Sequence, residues 1–371
     1  MKLLIVYGTR PEAIKMAPLV RLAQADRRFE AIVCCSGQHR EMLDQVNDYF
    51  EIQPTIDLDL MQPGQTLSAL TARCLTGFAS TVEKFQPDVV IGQGDTTTAM
   101  CSGLTAFYHQ LPFVHVEAGL RTSDIHSPFP EELNRRICSL TGALHCAPTS
   151  IAADHLLNEG YPESDVAVTG NTVIDALQWA VQKERSDGQQ WAKKYAQLGD
   201  RQMVLITAHR RENHGTGIRQ LCDAFVDLAN RYPETEFVYP VHLNPEIRVP
   251  VHERLGKISN IHLVEPAGYA EFVWLMDRCH FILSDSGGVQ EEAPTLRKPV
   301  LVTRESTERP EAMTAGATRL VGTAPDLVVA EVSRLLDDPM AYQQMLVTEN
   351  PYGRGDAADQ ILNLIAGRWN A

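Results

Sequence analysis

The sequence predicts an α/β protein made of two doubly wound domains facing one another across a cleft. Three observations carry this. The chain has 371 residues, too many for one ordinary hydrophobic core, so its length points to two domains. Short continuous apolar runs alternate with helical patterns through both halves, which is how parallel strands covered on both faces read. The residues that follow those runs are unusually polar, as expected where ligands bind beyond the carboxyl ends of parallel strands.

In order, the predicted strands of the first half are Leu3 to Tyr7, Ala31 to Cys35, Val89 to Gly92, Phe113 to Val116 and Val166 to Thr169. Those of the second half are Met203 to Thr207, Phe237 to Val241, Ile261 to Val264, Phe281 to Ser284 and Val300 to Thr303. A polar, glycine-interrupted stretch at 182–202, "QKERSDGQQWAKKYAQLGDRQ", separates them, and the boundary is expected in or just before it. The expected division is a Rossmann-like domain over 1–170 with the acid/base residues and a second over 171–355 with the main binding residues. A C-terminal helix over 356–371 is expected to pack back on the first.

Composition narrows the function. Thirty-three basic residues stand against 47 acidic ones, a formal net charge of −14. Such a surface repels nucleic acid and anionic membranes, so neither is an expected partner. The eight cysteines include no C-x-x-C pair, which argues against a zinc or dithiol site and for small reduced core side chains. The apolar run at Leu3 to Tyr7 is too short for a signal-peptide core, and no later stretch approaches a membrane span. A cytoplasmic protein is expected.

The strand exits give Gly8-Thr9-Arg10, then Asp95 in "GDTTT", Glu117 in "HVEAGLRT", His209 with Arg210 and Arg211, His242, and the opening Ser286-Gly287-Gly288. Any one of these could be an ordinary cap or turn. The whole set falling on strand exits is harder to explain that way.

In "DSGGVQEE", Asp285 or Ser286 could simply cap a helix whose early acids, Glu291 and Glu292, favour the positive end of its dipole. The same geometry suits a phosphate, with the N–H groups of Ser286, Gly287 and Gly288 open to it because the glycines carry no Cβ. A carboxylate one turn further in can accept paired hydrogen bonds from a sugar diol. Phosphate and sugar together suggest a nucleotide. The G-x-x-x-x-G-K-[ST] loop is absent, "GQGDTT" and "GTGIRQ" lack the third glycine of G-x-G-x-x-G, and no tyrosine is followed four residues later by lysine. No nicotinamide cofactor is therefore expected, nor any metal.

Arg10 and Lys15 follow the first strand and Arg309 follows the run at Val300, enough charge to meet a diphosphate. The first half supplies Asp95, Glu117 and the pair Glu131 and Glu132. Carboxylates gathered near a phosphate site would keep protons available near neutral pH and suit proton transfer on a sugar.

The segments "GTRPEAIKMAPL", "QHREMLDQV", "GDTTT", "HVEAGLRT", "PEELNR", "GNTVIDAL", "AHRREN", "YPVHLNP", "FVWLM", "SDSGGVQEEAP", "TERPEA" and "NPYG" resemble one family across nearly the whole chain. It is the non-hydrolysing UDP-N-acetylglucosamine 2-epimerases, which share the two-domain GT-B fold with many glycosyltransferases. The resemblance is closest to bacterial enzymes that make UDP-N-acetylmannosamine for cell-envelope polysaccharides. It implies UDP-sugar contacts at Arg10, Lys15, Asp95, Glu117, His209, Phe272, Ser286, Gly287, Gly288, Glu292 and Arg309, with Asp95, Glu117, Glu131 and His209 as the catalytic group. It also implies a homodimer.

Two positions depart from the family pattern. Ala267 stands where close relatives have a glutamine contact, and Gly64 replaces an arginine used in Gram-positive relatives to bind a second UDP-N-acetylglucosamine as activator. Gln38, Arg210 and His242 of that activator site remain. The implied reaction removes UDP from C1, loses the C2 proton to give a 2-acetamidoglucal, and re-adds both with C2 inverted, needing no redox cofactor. The alternatives are a hydrolysing epimerase releasing N-acetylmannosamine and a GT-B glycosyltransferase using the same UDP-sugar.

Overall fold

The computed structural model describes every residue except Gln38, His39, Pro63, Ser123, Asn370 and Ala371, and only the backbone of Arg40, Glu41 and Met42. Gln38, matched by resemblance to an activator site of relatives, therefore lies outside the described residues. The chain divides into two compact units, one of Met1–Ala176 with Tyr352–Ala371 and one of Leu177–Pro351.

The first unit holds β1 (Lys2–Tyr7), β2 (Glu30–Cys35), β3 (Ile56–Asp57), β4 (Val89–Gln93), β5 (Phe113–Val116), β6 (Leu144–Ala147) and β7 (Val166–Val168). They form one seven-stranded sheet in the order β3-β2-β1-β4-β5-β6-β7. The second unit holds β8 (Met203–Thr207), β9 (Glu236–Pro240), β10 (Ile261–Val264), β11 (Phe281–Ser284), β12 (Val300–Val302) and β13 (Thr318–Leu320). They form a six-stranded sheet in the order β10-β9-β8-β11-β12-β13.

All pairings within both sheets are parallel. Each unit is thus a doubly wound Rossmann-like fold, as expected. All ten sequence-predicted strands form. Three more, β3, β6 and β13, were not predicted.

Burial explains why the apolar runs become strands. Leu3, Leu4, Ile5, Val6 and Tyr7 of β1 are each 1% exposed or less, as the centre of a sheet covered on both faces requires. Four of the thiols, Cys34, Cys74, Cys101 and Cys138, pack in one apolar cluster with Leu4, Val6, Phe78 and Phe113. All eight cysteines are buried and unpaired, and burial pushes the thiols of Cys34 and Cys35 up to about 12. In the second unit a larger cluster joins β8, β9 and β11 to the helix Thr216–Arg231 through Ile206, Phe225, Phe237 and Leu283.

The last helix, Ala357–Trp369, packs on the first, Arg10–Ala25, within the same unit. Its opening N–H groups, those of Ala357 and Ala358, donate to the carboxylate of Asp175 at 3.3 and 2.9 Å. Burial pushes that carboxyl up to about 6, with these two bonds opposing it. Among the described residues no helix is long and apolar enough to cross a membrane.

Both sheets reverse strand order at one place. β1 pairs with β2 on one side and β4 on the other, and β8 pairs with β9 and β11. Ligands of open parallel sheets bind beyond the carboxyl ends at this switch point. The segments leaving β1, β4, β8 and β11 therefore hold the residues of interest.

Candidate active site

In the first unit the chain leaves β1 through Gly8, where an added Cβ would lie 1.9 Å from Ser36 Oγ and 2.5 Å from Thr98 Oγ1. Only glycine passes there. Thr9 then caps the helix Arg10–Ala25 in a capping box with Glu12, satisfying reciprocally two of the helix-start donors. One Glu12 oxygen accepts from Gly8 N (3.1 Å), Thr9 N (2.8 Å) and Thr9 Oγ1 (2.8 Å), and the other from Thr96 Oγ1 at 2.6 Å. Burial raises the Glu12 carboxyl above its ordinary range, opposed by those bonds from Thr96, Thr9 and Gly8. Arg10 is exposed at the first position of the helix, and no hydrogen bond or ion pair engages its side chain among the described residues.

Glu117 follows β5 with a φ of 60°, a left-handed backbone that a non-glycine residue keeps only when its surroundings hold it, often at a functional site. Lys15 Nζ reaches both its carboxylate oxygens at 2.6 Å. Gln93 Nε2 and Asn171 Nδ2 also donate to it, the latter at 3.4 Å. Asp95, after β4, accepts from Arg135 Nη2 at 2.5 Å, and its main-chain oxygen accepts from Asn134. Each carboxylate thus faces its own cation, a pairing not foreseen in the sequence.

Glu131 and Glu132 open the helix Glu131–Thr141 but do different things. Glu132 is fully buried and accepts from Arg135, Arg136 and Thr122 N. Glu131 is half-buried, with no side-chain hydrogen bond among the described residues.

In the second unit, His209 and Arg210 lie in the segment that follows β8, and Asp285 directly follows β11. The fully buried Asp285 does not cap the following helix. Its Oδ2 accepts instead from the main-chain N–H groups of His209 and Arg210, both at 2.8 Å, and from Asn213 Nδ2 at 3.1 Å. His209 Nδ1 stands 3.3 Å from Asp285 Oδ1, and its ring stacks on His242 with centroids 5.9 Å apart. Partial burial lowers the His209 pKa, helped by Arg210 and His242 and opposed by Asp285.

Ser286 N donates to Ser284 Oγ at 3.0 Å, so that N–H is not one of the open donors expected from the sequence. Those of Gly287 and Gly288 begin the helix Gly287–Glu292 and have no intrahelical acceptor. An added Cβ on Gly287 would lie 3.6 Å from Arg210 Nη2 and 3.7 Å from Arg309 Nη2, so two guanidinium groups flank the glycine turn. Arg309 is held there by the buried Glu291, which accepts from its Nε. The neighbouring Glu292 turns its Oε2 back toward Gly288. Phe272 lies half-buried on the helix Tyr269–Arg278.

The structure thus gathers Lys15 with Glu117 in one unit, and His209, Gly287, Gly288, Glu292 and Arg309 around one turn in the other. Sequence reasoning missed Gln93, Asn171, Arg135 and Asp285 as partners of these residues. A buried polar residue at the end of an apolar run is the signal that could have found Gln93 and Asp285.

A family profile described as UDP-N-acetylglucosamine 2-epimerase matches residues 21–366. The chain is 50% identical over 369 residues to UDP-N-acetylglucosamine 2-epimerase of Escherichia coli K12, covering 98% of each. It superposes on the Neisseria meningitidis UDP-GlcNAc 2-epimerase bound to UDP-GlcNAc with a TM-score of 0.92 at 46% identity, over 99% of this chain and 100% of that one. For the Methanocaldococcus jannaschii UDP-GlcNAc 2-epimerase in complex with UDP-GlcNAc and UDP, the TM-score is 0.81 at 30% identity, over 99% and 100%.

Proposed function

The chain belongs to the UDP-N-acetylglucosamine 2-epimerase family, and on that premise we propose how its residues divide the work. The reaction is reversible C2 epimerisation of UDP-N-acetylglucosamine to UDP-N-acetylmannosamine without hydrolysis. The observation that carries the division is Glu117, held in a left-handed backbone and bonded by Lys15, Gln93 and Asn171.

UDP is held by Gly287 and Gly288 N–H, the Ser286 hydroxyl, Arg10, Arg309 and His209, with Glu292 on the ribose diol and Phe272 beside the nucleotide. These groups also meet the charge that develops on UDP as the C1–O bond breaks. Asp95, Glu117 and Glu131 take and return the C2 proton. As C2–H gives up its proton, its electron pair forms the C1=C2 bond and UDP leaves. Protonation from the other face and return of UDP to C1 give the epimer. Lys15 is the counter-ion that keeps Glu117 in register, and Arg135 does the same for Asp95.

The homodimer belongs to the same reading. Phe107, Tyr108 and Leu140 are 62%, 69% and 74% exposed on two helices of the first unit that pack together, Thr97–Tyr108 and Glu131–Thr141. Beside them a groove of about 470 Å³ is lined by Leu67, Leu75, Met100, Phe129 and Leu133. So much apolar surface on one face suits a second copy of the chain. A cytoplasmic location and a role in polysaccharide synthesis complete the proposal.

Incubation with UDP-N-acetylglucosamine in D2O, followed by NMR, tests it. Deuterium at C2 with UDP-N-acetylmannosamine accumulating is the expected result. Free N-acetylmannosamine would indicate a hydrolase, and no exchange would refute the epimerase.

A further inference from the structure

Asp285 is a buried carboxylate that the reaction as described leaves unused. All of its oxygen contacts point at the segment leaving β8. Oδ2 is saturated by His209 N, Arg210 N and Asn213 Nδ2. Oδ1 is buried without a hydrogen-bond partner among the described residues and lies 3.3 Å from His209 Nδ1.

We infer that Asp285 is the positioning residue of His209: one oxygen fixes its main chain, and the other selects the ring tautomer in which Nδ1 carries the proton. An ionised carboxylate can only accept, so the nitrogen set against it must be an N–H. Nε2 is then the ring nitrogen left for the ligand. The stack with His242 limits rotation of the ring about this arrangement. A brace that merely held the loop would need Oδ2 alone and would leave the tautomer open.

This rests on the proposed function only for what Nε2 meets, and the hold of Asp285 on the ring is measurable without turnover. In full-length protein labelled with 15N-histidine, with His209 assigned by comparison with His209→Gln, two-bond 1H–15N correlations should show the neutral ring as Nδ1–H. Asp285→Asn keeps the shape and one oxygen for the main-chain donors but presents an amide N–H2 to Nδ1. The ring should then switch to Nε2–H, with kcat falling about 100-fold or more.

The charged and titratable groups around the ring are Asp285, Arg210 and His242. Losing the carboxylate among them should move the histidine limb of the kcat/KM profile to lower pH. In a His209→Gln background the Asp285→Asn change should cost nothing further. An Nε2–H ring in the unaltered protein, a tautomer indifferent to Asp285→Asn, or additive losses in the double variant would overturn the inference. Absence of C2 exchange in the unaltered protein would overturn the epimerase reading instead, while the ring spectra still decide the role of Asp285.

Discussion

Lys15 Nζ lies 2.6 Å from both carboxylate oxygens of Glu117, 102 residues further along the chain. Their side chains are 17% and 5% exposed, so removing either leaves the other charge poorly solvated. Lys15→Met should lower stability by up to about 3 kcal/mol, toward the low end for a broken buried pair. Glu117→Gln should reduce C2 exchange by about 100-fold or more, the scale of one acid/base group, while calorimetric UDP binding stays close to that of the unaltered protein. Surviving exchange would remove Glu117 from the proton-handling set.

The glycine turn separates folding from binding. An added Cβ at Gly287 meets nothing nearer than 3.6 Å, an ordinary contact, so Gly287→Ala should melt near the normal temperature. The methyl group occupies the space that a phosphate would take, and UDP affinity should fall about tenfold or more by the loss of close approach. Glu291→Gln should weaken UDP binding too, by releasing Arg309. A calorimetric titration of both variants checks this.

Glu12 ties the turn after β1 to Thr96, the neighbour of Asp95. Glu12→Ala strands the buried N–H of Gly8 and the half-buried N–H of Thr9, and should cost roughly 2–4 kcal/mol. Glu12→Gln should cost less than about 1 kcal/mol, because its oxygen can keep the N–H donors while the Thr96 hydroxyl reverses to accept from the amide. Urea unfolding of both distinguishes this tie from a simple space-filling role.

Stability should fall on mild acidification. Burial lowers the imidazoles of His115 and His145 to about 4 and about 3, from 6.5 when unfolded. Below that unfolded value the unfolded chain binds more protons, so stability these residues confer above pH 6.5 is lost as pH falls, each by up to about 1.4 kcal/mol per pH unit. Asp175, raised from 3.8 to about 6, works the other way, favouring the fold below about pH 4 and losing that contribution as pH rises to 6. Glu12, also raised by burial, sides with Asp175, whereas His280, lowered by burial to about 4, and His209, lowered as well, side with the other two histidines. Four histidines outweigh two carboxyls, and the urea midpoint should drop between pH 6.5 and 4.5. Both nitrogens of His145 lack hydrogen-bond partners among the described residues and its ring packs against Tyr161, so His145→Phe should flatten the decline.

The exposed aromatic face gives a test of assembly. Changing Phe107 and Leu140 together to glutamate should yield a monomer by analytical ultracentrifugation, with the far-UV spectrum unchanged. A dimer that survives both changes would place the contact elsewhere.

Strands buried on both faces were legible because burial demands continuous apolar residues, as in β1 and β8. The unpredicted strands break that rule. β6 carries the buried His145, β13 carries Arg319, and β3 is two residues long. The glycine turn after β11 was legible because its glycines and helix start are consecutive. The distinction between Glu131 and Glu132 was not, because it depends on which side of the helix meets Arg135. Asp285 read as a cap because a single sequence does not show that its acceptors serve His209, 76 residues earlier. Contacts that bring strand exits together depend on sheet order, and sheet order is a property of the whole fold.

The division of the chain also sets the order in which the molecule can be completed. Residues 177–351 form one unbroken unit, whereas the unit begun at Met1 also needs Tyr352–Ala371. Those last residues supply Ile361, Leu362 and Ile365, each 2% exposed or less, and the helix start that satisfies Asp175. On the ribosome, where domains fold as they emerge, the half translated first is therefore finished last. A chain ended after residue 351 should hold a protease-resistant second unit and an open first one.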